Sequence, residues 1–193
     1  GAPEGVVLHR QPLTEIGFEA EYFDVVLLWH SLEHMSDPVH TLLECQRILA
    51  RHGTLVVGVP NFGSFQSRWF RDHWFHLDLP RHTHHFTRDS LSACLERAGL
   101  EAVSFSTVTI EQNLLGFVQS AQDRFMPGPD KQRLYELMKL GFDQRRWGEA
   151  LALFGAAVAL TPLAVAETVV SAFLGHGASL VSHARRRASG APR

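Results

Sequence analysis

Continuous apolar runs alternate with stretches of helical spacing along the first 110 residues of this chain. Val6-Val7-Leu8 is a short apolar run ahead of Pro12 and predicts a brief strand. YFDVVLLW, residues 22–29, is apolar without alternation, as expected of a parallel strand covered on both faces. Asp37-Pro38 offers an N-cap and a first helical residue. Val39, Leu42, Leu43, Gln46 and Leu49 follow at near-helical spacing, with Gly53 placed to end the helix. TLVVGVP, residues 54–60, predicts a second buried strand, joined to the first by a right-handed crossover. Residues 61–86 have no clean period and predict a long functional loop. Thr87 is placed to cap a helix with Leu91, Cys94, Leu95 and Ala98 on its apolar face and Gly99 at its end. EAVSFSTV, residues 101–108, alternates as a further strand, so the class is α/β with a mostly parallel sheet.

From about residue 111 to 175 the spacing is helical, and Leu151 to Leu174 is apolar apart from Glu167 and small polar residues. That length suits a bilayer span. Pro162, Glu167 and arginines on both flanks (Arg145, Arg146; Arg185 to Arg187) oppose one. Thr161-Pro162 reads as an N-cap and first residue, so the expectation is two helices, packed together or at a membrane interface. A span and a dimer face are the alternatives. ASLVSHARR, residues 178–186, is a candidate last strand. The expected boundaries are a sheet domain over 1–110, a helical appendage over 111–176, the last strand within 177–187 and a disordered tail over 188–193.

The 193 residues are 45% hydrophobic and 20% charged, the composition of an ordinary globular chain. A net charge of −2 supplies no basic field, which excludes nucleic acid as the expected partner. Cys45 and Cys94 lack C-x-x-C spacing and fall at apolar helical positions. They predict free thiols in a reducing, cytoplasmic compartment, with membrane-surface contact through 150–174 as an added expectation. The opening GAPEGVVLHR has no apolar signal-peptide region and no initiator Met, so the chain reads as cut from something longer.

Candidate chemistry centres on WHSLEHMSDP, residues 29–38, and on a His-rich window from His73 to His85. His30-x-x-Glu33-His34 spells an inverted zinc-hydrolase motif, which needs both rings on one helical face. Here the first His follows a strand and the next helix starts only at Asp37. Two other readings stand beside it. In one, His30 and His34 cap the strand and pack beneath a loop. In the other, they line the crevice that open α/β sheets form beyond the carboxyl ends of their strands, together with Pro60 and Asn61.

The segment FDVVLLWHSLEHMSDPVHTLLECQRILARHGTLVVGVPN, followed by LDLPRHTHHFT and SLSACLERAGL, resembles the latter half of a class I S-adenosylmethionine-dependent methyltransferase. The resemblance covers residues 5–108 and implies a partial Rossmann-like sheet with a C-terminal helical appendage. ASLVSHARR is similar to the family's final antiparallel strand. The family's Gly-rich cofactor turn, G-x-G-x-G in type, has no counterpart after any strand, which predicts a truncated copy. The resemblance implies S-adenosylmethionine as cofactor, contacted by Trp29, His30, Ser31 and Leu32. It implies a small-molecule acceptor near Asn61, Trp74 and His84, with His34, His82 or His85 as base, and the apolar tail points to an apolar or lipid-linked one. Relatives in quinone pathways hold a metal near the counterparts of Glu33 and His34, but His30 departs from their pattern and no metal is assigned. The alternatives are a non-catalytic remnant serving as a binding or membrane-associated module, and a zinc hydrolase using His30, Glu33 and His34.

Overall fold

The computed structural model describes residues 3–126, 128, 131–140 and 147–187; the expected tail over 188–193 and the flanking Arg145 and Arg146 lie outside them. Four strands form one open sheet in the order β1 (Phe23–Trp29), β2 (Leu49–Pro60), β4 (Ser179–Arg186), β3 (Leu100–Ser106). β1 and β2 are parallel, and β4 alone is reversed, inserted antiparallel between β2 and β3. The helices are α1 (Leu13–Ile16), α2 (Pro38–Ile48), α3 (Phe65–Phe70), α4 (Arg88–Arg97), α5 (Ile110–Phe125), α6 (Arg133–Leu140) and α7 (Trp147–Phe173).

Local chemistry explains the boundaries. The Asp37 side chain accepts a hydrogen bond from the His40 amide at 2.9 Å and Pro38 opens α2, so that helix starts where its sequence says. Thr87 and Ser90 cap α4 reciprocally, and Gly99 takes the left-handed conformation that ends it. α2 and α4 cover one face of the sheet, where Leu42, Cys45, Leu91 and Leu95 pack on Leu28, Leu55, Val57 and Leu180. Val25, Leu27 and Trp29 point to the opposite face and are exposed. A second core joins the stretch after β2 to the C-terminal helices, with Phe70 and Trp74 against Phe117, Leu134, Leu153 and Ala164.

Five expectations change. β1 is a strand as expected but is not covered on both faces, since Val25, Leu27 and Trp29 are exposed among the described residues. Val6 to Leu8 form no strand and are exposed, because no neighbouring strand satisfies their backbone among the described residues. Gly53 does not end α2; the helix stops at Ile48 and passes straight into β2, with Gly53 inside the strand. A Cβ there would lie 2.9 Å from the Asp24 carbonyl, so the glycine permits the close approach of β1 at its register irregularity. The loop over 61–86 contains α3, capped by the Ser64 side chain on the Ser67 amide, and two short 3-10 turns. Thr161-Pro162 does not divide the tail: α7 runs unbroken through Pro162 for 27 residues. The Thr161 hydroxyl donates to the Ala157 carbonyl at 2.8 Å, one turn back, which leaves no polar side-chain group at the proline to start a new helix.

Replacing Asp37 with Ala removes the α2 cap and is expected to lower unfolding stability by about 1 kcal/mol. Urea unfolding checks this, and an unchanged midpoint would show that Pro38 alone holds the helix start.

Candidate functional site

β1 ends at Trp29, and the next residue, His30, takes a positive φ of 45° while its amide still donates to the Gly58 carbonyl at 2.8 Å. That conformation is strained for a non-glycine residue, at a cost of about 1–3 kcal/mol. It turns the chain off the sheet into a single 3-10 turn, Leu32–His34. Leu32 plugs into the sheet core, and Glu33 is left facing the crevice side, 1% exposed.

The loop after the second 3-10 turn closes over this point. The amides of Thr83 and His84 and the Thr83 hydroxyl all donate to the Glu33 carbonyl, at 3.0, 3.2 and 3.2 Å. His82 is thereby brought beside the Glu33 carboxylate, with Nε2 at 3.9 Å from Oε1, while His30 Nδ1 lies 3.4 Å from the same oxygen. Neither carboxylate oxygen of Glu33 has a hydrogen bond, and His30 Nε2 is equally unpartnered. A buried acid left in that state is costly to the fold and marks a place built for something other than stability.

The histidines are oriented by backbone carbonyls. His82 Nδ1 donates to the His76 carbonyl at 2.8 Å and His34 Nδ1 to the Arg81 carbonyl at 2.9 Å. Each ring then presents Nε2 as a lone pair, and their centroids lie 4.7 Å apart. Burial lowers the proton affinity of His82, although its hydrogen bond to His76 works in the opposite direction. His76 is fully enclosed and burial, followed by the nearby His30, pushes its pKa down to about 3. Both rings are neutral at neutral pH. Glu33, His34 and His82 offer ligand atoms that all lie within 4.8 Å of one another, a set able to hold a metal ion.

These groups line a cavity of about 370 Å³ with Trp29, His30, Phe75, Asp78, Arg81, Gln112 and Tyr135. Of the residues singled out from sequence, it gathers Trp29, His30, His34 and His82, and it leaves the others elsewhere. Ser31 is half-buried beside it and Leu32 belongs to the core. Trp74 is buried in the second core, and Asn61 ties the end of β2 to the start of β4 through the Gly177 carbonyl at 2.8 Å. His85 donates to the Leu77 carbonyl, and His84 stacks on Phe86 and meets the Thr83 hydroxyl. The His30-x-x-Glu33-His34 spelling does not make the zinc-hydrolase geometry, because those residues bridge a strand end and a 3-10 turn instead of one α-helical face.

His76, Asp78 and Arg81 were missed, although Asp78 and Arg81 lie within the quoted LDLPRH stretch and His76 directly precedes it; Gln112 and Tyr135 arrive from α5 and α6 and carry no local signal. Gly58 is part of the same construction: a Cβ there would sit 2.7 Å from the Trp29 ring, which lies against the strand at that residue.

A family model described as a methyltransferase domain matches residues 3–105, and the chain belongs to that family. The family's cofactor is S-adenosylmethionine. A protein of Galdieria sulphuraria, provisionally assigned as a sarcosine dimethylglycine methyltransferase, superposes with a TM-score of 0.51 at 12% identity, over 92% of this chain and 58% of that one. An S-adenosylmethionine-dependent methyltransferase of Thermotoga maritima gives 0.50 at 16% identity, over 95% and 65%. A Haloferax volcanii protein provisionally assigned as a methyltransferase, solved with its Trm112 activator, gives 0.50 at 16%, over 92% and 60%. The chain therefore spans about six-tenths of the length of these structures. No curated protein matches it significantly.

Two outcomes are expected. Glu33→Gln removes an unpartnered buried acid and should raise unfolding stability by about 1–2 kcal/mol; a comparable loss in thermal melts would mean the carboxylate holds the fold. The unfolded chain protonates at position 76 near the ordinary histidine value of 6.5, whereas the folded one resists until about 3. Stability present above pH 6.5 is therefore lost as pH falls toward 3, by about 1.4 kcal/mol per pH unit from His76 alone. Urea titrations at a series of pH values should show this slope in the wild type and a flatter one in His76→Gln.

Proposed function

We propose that the chain forms the acceptor side of an S-adenosylmethionine-dependent methyltransferase for a small acceptor with an ionisable hydroxyl or amine and an apolar body. The observation that carries this is the crevice at the end of β1, where a strained His30, an unpartnered Glu33 and an oriented, neutral His82 converge. Trp29 to Ser31 fit one side of the cofactor: the chain turns off the sheet at His30, at the strand end, and the Trp29 ring is half-exposed over Gly58. The Gly-rich turn that would hold its other side is not among the 193 residues.

When bound, the cofactor supplies an electrophilic methyl group. The chain's residues position the acceptor, exclude water and take its proton. Trp29, Phe75 and Tyr135 provide apolar walls, with Arg81 and Gln112 as polar anchors. His82 Nε2 is free to accept a proton because Nδ1 is committed to the His76 carbonyl. Asp78 Oδ2, 3.8 Å away, and Glu33 Oε1 then face the imidazolium that forms. His34 is the neighbouring candidate base, while His85, whose Nε2 is engaged by Leu77, supports the loop. The free thiols, with Cys45 pushed up to about 12 by burial, support a cytoplasmic setting.

The test is methyl transfer from labelled S-adenosylmethionine into small molecules by the full-length protein. His82→Gln is expected to lower incorporation by about a hundredfold while the protein remains folded. Unchanged incorporation would remove His82 from the chemistry, and none with the wild type would favour a non-catalytic binding module. A divalent cation on Glu33, His34 and His82 is a second reading, favoured by the unpartnered carboxylate. Calorimetry with manganese should then show one site that Glu33→Gln abolishes, and the absence of heat would dismiss it.

A further inference from the structure

α7 has its polarity reversed. Taken at about 100° per residue, its buried positions Ala150, Leu153, Ala164, Glu167, Thr168 and Ser171 fall within roughly 100° of arc. That narrow stripe holds the only acid between residues 150 and 174. Glu167 accepts from the Gln66 side chain at 2.8 Å, and burial raises its pKa. The outward arc spans roughly 200° and is aliphatic or aromatic: Leu151, Val158, Leu163, Val169, Val170 and Phe173 are all exposed. Its one hydroxyl, Thr161, is satisfied inside the helix. An ordinary surface helix has the opposite arrangement.

The length and composition would allow a membrane crossing, but the packing does not. The buried stripe meets the domain at both ends: Gln122 donates to the Leu153 carbonyl at 2.7 Å, and Gln66 reaches Glu167. The chain then passes directly from α7 into β4. Crossing would carry this polar stripe and a sheet strand into hydrocarbon. A second copy of the helix would cover only a stripe of the bare arc, whereas lipid wets all of it.

Charge identifies the kind of lipid. A cleft of about 640 Å³ opens at the C-terminal end of α7, bounded by Leu174 and carrying Arg68, Arg88 and His176 against a single acid, Asp89. Arg88 lies over the Phe105 ring, and among the described residues neither arginine has an ion pair. Cations beside the end of a lipid-facing helix suit a phosphate headgroup.

We propose that α7 lies in the plane of an anionic bilayer, its outward arc among the acyl chains and lipid phosphate in the Arg68–Arg88 cleft. A lipid-facing helix of this kind does not depend on which acceptor the crevice takes.

The test is sedimentation of the chain with vesicles of phosphatidylcholine, with and without phosphatidylglycerol. The wild type should sediment with the anionic vesicles. Val158→Asp with Val169→Asp should lower that binding at least about tenfold while circular dichroism is unchanged. Arg68→Gln with Arg88→Gln should lower it about tenfold on anionic vesicles only. Val25→Ser with Leu27→Ser, on the bare sheet face, should leave it unchanged. Binding that survives the aspartates, or is lost through Val25 and Leu27, overturns the proposal. So does a dimer in ultracentrifugation that ignores vesicles and is dispersed by the aspartates. If the aspartates unwind the helix, Phe173→Trp reports instead: its emission should shift to the blue on vesicles and be quenched by brominated lipid, and lipid-insensitive emission contradicts the proposal.

Discussion

The carbonyl oxygen of Glu33 receives two amides and a hydroxyl from Thr83 and His84, residues fifty positions further along the chain. That junction locks the loop after β2 onto the end of β1. Because the backbone oxygen is so fully used, the Glu33 side chain is held in one direction, toward His82 and away from water. The strained turn at His30 is tolerated for the same reason, since its amide remains in the sheet and its neighbour Leu32 is fixed in the core. Geometry that a free loop could not maintain is thus imposed by the sheet on one side and by the returning loop on the other.

The same logic runs through the C-terminal helices. α5 places Gln112 in the crevice while Phe117 and Ala121 hold the second core, and α7 packs along it. The Gln66 side chain links both helices, donating to the Asn113 carbonyl at 2.9 Å and to Glu167 at 2.8 Å. Polar contacts that most proteins leave at the surface are here placed between elements, and aliphatic side chains take the outside of α7. The crevice and the apolar helix are therefore two consequences of one arrangement, joined by α5.

Much of the sheet was legible because its signals are local. The unalternating FDVVLLW run, the Asp37-Pro38 start and the Thr87 cap each carry their own physics, and the family motifs appear in order. Val6 to Leu8 misled because a short apolar run is only a strand when another strand lies beside it. Pro162 misled because Thr161 bonds back into the preceding turn, a choice the sequence leaves open. In the site, Trp29, His30 and His34 were within reach of a reading based on strand ends, and His82 of one based on the His-rich loop and the family resemblance. Trp74 and Asn61 were not separable from it, since an aromatic in a loop and an amide at a strand end can serve the core or the crevice equally well. Tyr135 and Gln112 depend on how the tail folds back, which no short-range pattern encodes.

The claim on which the rest turns is that the end of β1 receives S-adenosyl cofactor and acceptor together. Nitrogen–proton correlation spectra of the chain, titrated with S-adenosylhomocysteine, test it residue by residue, with the Trp29 indole as a built-in probe. Shifts concentrated at Trp29 to Glu33 and spreading to His82 are the expected result. Shifts confined to the Arg68–Arg88 cleft, or a spectrum that does not change at millimolar ligand, would contradict it.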